Sequence, residues 1–191
     1  MRLSTRSALD SALDVLRGPG LLEKELAAMK EKVQGWTRAK KLAAFSQGSK
    51  DLTATLKKFP QSMWRYSRKK ENWSITQVLW HLADQEANVY VRLRRAVAEP
   101  GQMVSPYDQE KWSQDLFYLK ADPVQARDLI IILRKANADL LKRVGAKAWK
   151  GKVKHPEWGT LSLEYLVGLN LWHLEHHMAQ MGRRFSEWKS R

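Results

Sequence analysis

From about Leu161 to Trp188 the chain repeats apolar residues with the period of an amphipathic helix, and two histidines fall inside the apolar arc. At about 100° per residue, Leu163, Leu166, Leu174, Met178 and Met181 share one face, with Asn170, His173 and His177 among them. A helix of that length must bury its face against other helices. Whatever core forms there has to accommodate imidazoles, and an unsatisfied buried polar group costs about 1–3 kcal/mol. A metal ion shared by two rings at i and i+4 is one way to satisfy them.

The rest of the chain is read as helical too, with no convincing run of strict alternation. Residues 4–17 and 21–34 are expected as two short helices broken at Gly18-Pro19-Gly20, and Ser46-Gln47-Gly48-Ser49 as a loose separator. A helix is expected from near Asp51 to Arg65. The next has a clear start: Ser74 caps it while Gln77 reaches back, and Trp73 can staple against Val78. It should stop at Glu99-Pro100-Gly101. Asp122-Pro123 opens a third, which fades at Val144-Gly145. The turn His155-Pro156-Glu157-Trp158-Gly159 leads into the last. Four long helices point to an all-α four-helix bundle over residues 50–191, preceded by a helical, basic extension over 1–49. The connection over 99–122, with Tyr107, Asp108 and Trp112, is long enough to be functional or to wrap the core.

Composition narrows the chemistry. The chain has no cysteine, so disulfides, thiolate zinc sites and cysteine nucleophiles are excluded, and any metal must be held by nitrogen and oxygen. No apolar run approaches the roughly 18 residues of a membrane span, and the N-terminus lacks a signal-peptide core, which gives a cytoplasmic expectation with no membrane partner. The formal charge of +14 favours acidic partners, nucleic acid among them, although it is spread along the chain and equally describes a solvated basic surface.

Three of the five histidines lie within His173-Leu174-Glu175-His176-His177. His176 sits to one side of the apolar arc and Glu175 points nearly opposite, so the cluster is not the HExxH arrangement of metalloproteases. Gln180, one turn beyond His177, is placed to orient a ligating ring. A third nitrogen must come from elsewhere. His81 is the candidate, but its helical phase puts it on the flank of the arc drawn by Ile75, Val78, Leu82, Val89 and Leu93. There it joins a polar stripe of Gln77, Asp84, Gln85, Asn88 and Arg92, which faces either water or a wet pocket.

The segment Glu71-Asn72-Trp73-Ser74 through Trp80-His81-Leu82-Ala83-Asp84 resembles the signature of the DinB/YfiT-like metalloprotein superfamily, in which a capped helix carries HLAD. The run His173-Leu174-Glu175-His176-His177-Met178-Ala179-Gln180 is similar to that family's closing H-x-x-H-H-x-x-Q helix. Glu86, Arg92, the Tyr107–Trp112 loop and His155-Pro156 stand in family-like order, so the resemblance covers about residues 50–185. It implies a four-helix bundle holding one divalent metal (zinc, nickel, manganese or iron) through His81, His173 and His177, with His176 outside the set. It also implies a metal-dependent enzyme, a thiol transferase using a low-molecular-weight thiol or a hydrolase acting on a small molecule. Arg92 would then receive a carboxylate of the thiol, or else pair within its own helix with a neighbour such as Glu99; no carboxylate is assigned as base, Asp84 and Glu86 being the nearest in sequence. Residues 1–49 match no part of the pattern and are read as a helical cap, a dimerisation element or a basic arm. The competing expectation is a non-enzymatic, stress-related or nucleic-acid-binding bundle with a structural metal.

Overall fold

The computed structural model describes residues 31–69 and 72–191. The readings for residues 4–17 and for most of 21–34 fall outside them. Four long helices form the body: α1 (Arg38–Leu56), α2 (Ile75–Ala98), α4 (Pro123–Arg143) and α5 (Leu163–Lys189). A short α3 (Gln109–Asp115) lies in the connection between α2 and α4. Both α1 and α2 pack against α4 and α5, so these two sequence neighbours occupy diagonal corners of the bundle.

Helix α1 differs from its sequence reading at both ends. Thr37 caps it by accepting from the Lys40 amide, and the Ser46–Ser49 stretch lies inside it rather than breaking it. Lys41, Phe45, Gly48, Leu52 and Leu56 are its buried residues, a regular three-and-four stripe. A boundary between residues 49 and 50 therefore cuts a continuous helix. The helix ends at Leu56 rather than Arg65 because Pro60 has no amide to give and biases Phe59 away from helical geometry. Just upstream, Val33 is buried in the core, and Lys41 Nζ, wholly buried, donates to the Gln34 carbonyl and pairs with Glu164 on α5.

The other helix starts follow the sequence closely. Ser74 and Gln77 form the reciprocal capping box of α2, and Trp73 and Val78 are buried in one cluster beneath it. Asp122 caps α4 with Pro123 in its first turn. Two elements were hidden. Residues Lys152–His155 (β1) and Gly159–Ser162 (β2) form an antiparallel hairpin, and Met103 bridges to Lys154 beside it. Four residues per strand are too few for alternation to show. Gly159, with φ +71°, closes the three-residue loop in a conformation that favours glycine. Among the described residues no helix is long and apolar enough to cross a membrane.

Candidate metal centre

The bundle brings His81 on α2 to face His173 and His177 on α5. The Nε2 atoms of His81 and His173 are 3.0 Å apart, and those of His177 and His173 are 3.1 Å apart. All three rings are buried, and their nearest ligand atoms lie within 4.8 Å of one another. The flank position of His81 on its helix is thus an inward one. Trp73 packs its ring 5.0 Å from that of His81 and walls this side of the cluster from water.

Burial holds the cluster neutral. It pushes the His81 imidazolium down to about 3, with a further push from His176. His173 and His177 are driven well below the usual histidine range, first by burial and then by one another, His81 and His176. A neutral imidazole has one N–H and one lone pair. His177 Nδ1 lies 2.7 Å from the Gln180 amide oxygen, so it donates there and leaves its lone pair on Nε2. Three Nε2 atoms cannot all be satisfied by one another, because one proton serves only one pair. A cation satisfies all three. Nitrogens held at about 2.0–2.1 Å from one ion stand roughly 3.0–3.4 Å apart, so these separations suit a divalent metal.

His176 is buried rather than peripheral. It stacks on Trp172 with 5.4 Å between centroids, and neither ring nitrogen has a hydrogen-bond partner among the described residues. It remains outside the converging set.

The polar stripe of α2 divides between different surroundings. His81, Gln85 and Arg92 line a small cavity over the triad together with His173, Tyr107, Gln109, His155, Glu157 and Trp158. Asp84, Asn88 and Arg92 line a neighbouring groove with Trp112, and Gln77 belongs to the helix cap. Asp84 accepts from the Tyr118 hydroxyl, and burial raises its carboxyl above the ordinary range. Glu86 is turned into the bundle, where it pairs with the buried Arg134, and it does not line the cavity. Arg92 makes no ion pair with Glu99; its Nη2 donates to the Ser105 carbonyl at 2.9 Å.

Tyr107, Gln85, His155 and Trp158 complete the wall. Tyr107 donates to Gln85 Oε1 at 3.0 Å. His155 stacks on Trp158 with centroids 4.3 Å apart and is held by the hairpin turn. The compact His-Pro-Glu-Trp-Gly turn was the available signal for these last two; nothing in helical phase could point to them.

Known proteins share this chain's sequence pattern and fold. A family model described as the DinB superfamily matches residues 44–181. A protein of Oceanobacillus iheyensis, named as a candidate metal-dependent hydrolase, is 33% identical over 116 residues, 60% of this chain and 66% of that protein. YfiT of Bacillus subtilis, named in the same terms, is 32% identical over 110 residues, 57% of this chain and 62% of its own length. The chain therefore spans just under two thirds of these relatives. The solved structure of YfiT, described as a four-helix bundle of unusual topology, gives a TM-score of 0.73 at 25% identity over 80% of this chain and 87% of that one. A mycothiol-dependent maleylpyruvate isomerase shares the fold, with a TM-score of 0.63 at 14% identity over 78% of this chain and 62% of that one.

Proposed function

The chain belongs to the DinB superfamily, and from that premise we propose that it is a metal-dependent enzyme acting on a small molecule, with His81, His173 and His177 as the ligands of one divalent cation. The observation that carries the reading is the convergence of three buried, neutral Nε2 atoms beside a small cavity that His81 and His173 line. A divalent ion held there would act as a Lewis acid toward a thiol or a water, lowering its pKa.

The chain's own groups do the rest. Gln180 keeps the His177 lone pair aimed at the centre, and Trp73 excludes water from the His81 side. The bonded pair of Tyr107 and Gln85 fixes one wall of the cavity. Tyr118 occupies the half-buried Asp84 and Arg134 occupies the buried Glu86, so neither is placed as a base.

The test begins with elemental analysis of protein purified without an affinity tag. One equivalent of a divalent metal per chain is expected, and His81→Ala should lose it. Full retention by that variant sinks the three-histidine assignment. The loaded protein is then assayed on ester and amide panels, and on low-molecular-weight thiols paired with electrophiles. Turnover in the first set assigns hydrolysis and in the second thiol transfer, while none in either leaves a structural metal.

A further inference from the structure

Four cations are buried among the described residues: Lys41, Arg92, Arg134 and Arg184. Three have a carboxylate partner, in Glu164, Glu86 and Glu187 respectively. Arg92 has none. It is 4% exposed, its Nη2 donates to the Ser105 backbone carbonyl, and its Nε is buried without a partner among the described residues. Glu157 lies on the same cavity but is exposed and outside ion-pair distance. A buried charge without a close partner is costly, and folds usually compensate it. Glu157 attracts the Arg92 charge across the cavity without pairing to it, which leaves a place for a closer acid.

A second donor stands in the same wall. His155 Nδ1 accepts the backbone N–H groups of Glu157 and Trp158 at 3.2 and 3.3 Å. Its ring proton is therefore on Nε2, which makes that atom a donor. Stacking on Trp158 fixes the ring plane, and burial together with the Arg92 charge keeps the ring neutral, with its pKa down at about 4. Both donors line one small, part-open cavity that also reaches His81 and His173.

We propose that Arg92 and His155 form a carboxylate-binding subsite, and that the molecule acted on at the triad is a carboxylic acid gripped by that end. The substrate part of this inference rests on the triad being a working metal site; the subsite itself does not. Helix geometry sets the spacing. His81 and Arg92 stand three turns apart on α2, so their Cα atoms are about 16 Å apart. The arginine side chain leans back toward the helix N-terminus and takes up part of that span. Reacting atom and carboxylate are thus several bonds apart, which excludes α-substituted acids.

The test titrates metal-free, full-length protein with acetate, acetamide and inorganic phosphate, followed by ligand-observed NMR. Acetate should bind and acetamide should not. Arg92→Gln should weaken acetate at least tenfold, Arg92→Lys should recover part of it, and His155→Phe should weaken it severalfold. Because Arg92→Gln removes an unpaired charge, its melting temperature should hold or rise. Equal binding of acetate and acetamide, unchanged acetate affinity in Arg92→Gln, or tighter phosphate with the same Arg92 dependence each overturns the subsite. With metal restored, ω-mercaptocarboxylates should bind more tightly as the chain between thiol and carboxylate lengthens past one carbon. A flat series would overturn the spacing. Metal stoichiometry is read separately, so loss of the metal reading leaves acetate binding by the stripped protein interpretable.

Discussion

Gln180 Oε1 stands 2.7 Å from His177 Nδ1, and this contact decides which nitrogen of His177 carries the proton. Gln180 is wholly buried, and its amide nitrogen has no partner among the described residues. Its structural value is therefore low while its value to the site is high. Gln180→Leu should lower metal affinity about 10–100-fold, as loss of such orienting partners does elsewhere. Stability of the metal-free protein should hold. Competition against a chromophoric chelator reads the first and thermal melting the second; unchanged affinity would show that His177 needs no help to aim its lone pair.

The Glu86–Arg134 pair is a strut rather than a catalytic device. Both residues are at most 2% exposed, and Arg134 also donates to Asn170 Oδ1 at 2.6 Å, one turn before His173. Glu86→Ala leaves a buried guanidinium without its charge partner and should cost about 3–5 kcal/mol in urea unfolding. Combining it with Arg134→Met removes the stranded charge and should restore most of the loss. A double variant as unstable as the single one would show that Arg134 matters through its packing on Phe45 instead.

How legible each part was depends on whether the information is local. His173 and His177 share a helix face, so their spacing alone predicts that they meet, and the cap at Ser74 is read from two residues three apart. His81 was ambiguous because its phase lies on a flank. That flank is buried by Trp73, by the 99–122 connection and by the hairpin, none of which helical periodicity reveals. His155 and Trp158 reach the cavity only because β1 and β2 pair. At its start, α1 was misread because Gly48 looks like a break in composition, yet its missing side chain serves a contact with α4.

That contact predicts an inverted effect of a common stabilising substitution. A Cβ added at Gly48 would lie 2.6 Å from Arg134 Nε, 2.8 Å from its Nη2 and 2.9 Å from Leu174 Cδ2. The guanidinium is tied to Glu86 and Asn170 and cannot swing aside. Alanine should gain roughly 1 kcal/mol of helix propensity over glycine, while overpacking costs about 1–3 kcal/mol. Gly48→Ala is therefore expected to be neutral or destabilising by up to about 2 kcal/mol in denaturant unfolding, and a clear gain would mean that the helix moves away from α4 easily.

The histidines also make acid the protein's weak side. Burial holds His81 at about 3 and His155 and His176 at about 4, with His173 and His177 well below their ordinary value. In the unfolded chain all five titrate near 6.5. Below that pH the unfolded state binds protons that the folded state refuses, so stability is full above pH 6.5 and falls as pH drops toward 4. Each such group adds a slope of up to about 1.4 kcal/mol per pH unit. Burial of Asp84 and Glu110 raises their pKa values and pulls the other way over the carboxylate range. The metal-free protein should hence lose melting temperature steeply between pH 6.5 and 4.5. His176 tests the cause cleanly, since it sits outside the triad with both ring nitrogens unpartnered against Trp172. His176→Phe keeps the stacked ring and removes the titration. It should raise stability at neutral pH by about 1 kcal/mol, flatten the acid limb and leave metal stoichiometry at one. An acid limb of unchanged steepness in that variant would place its origin in the other four rings.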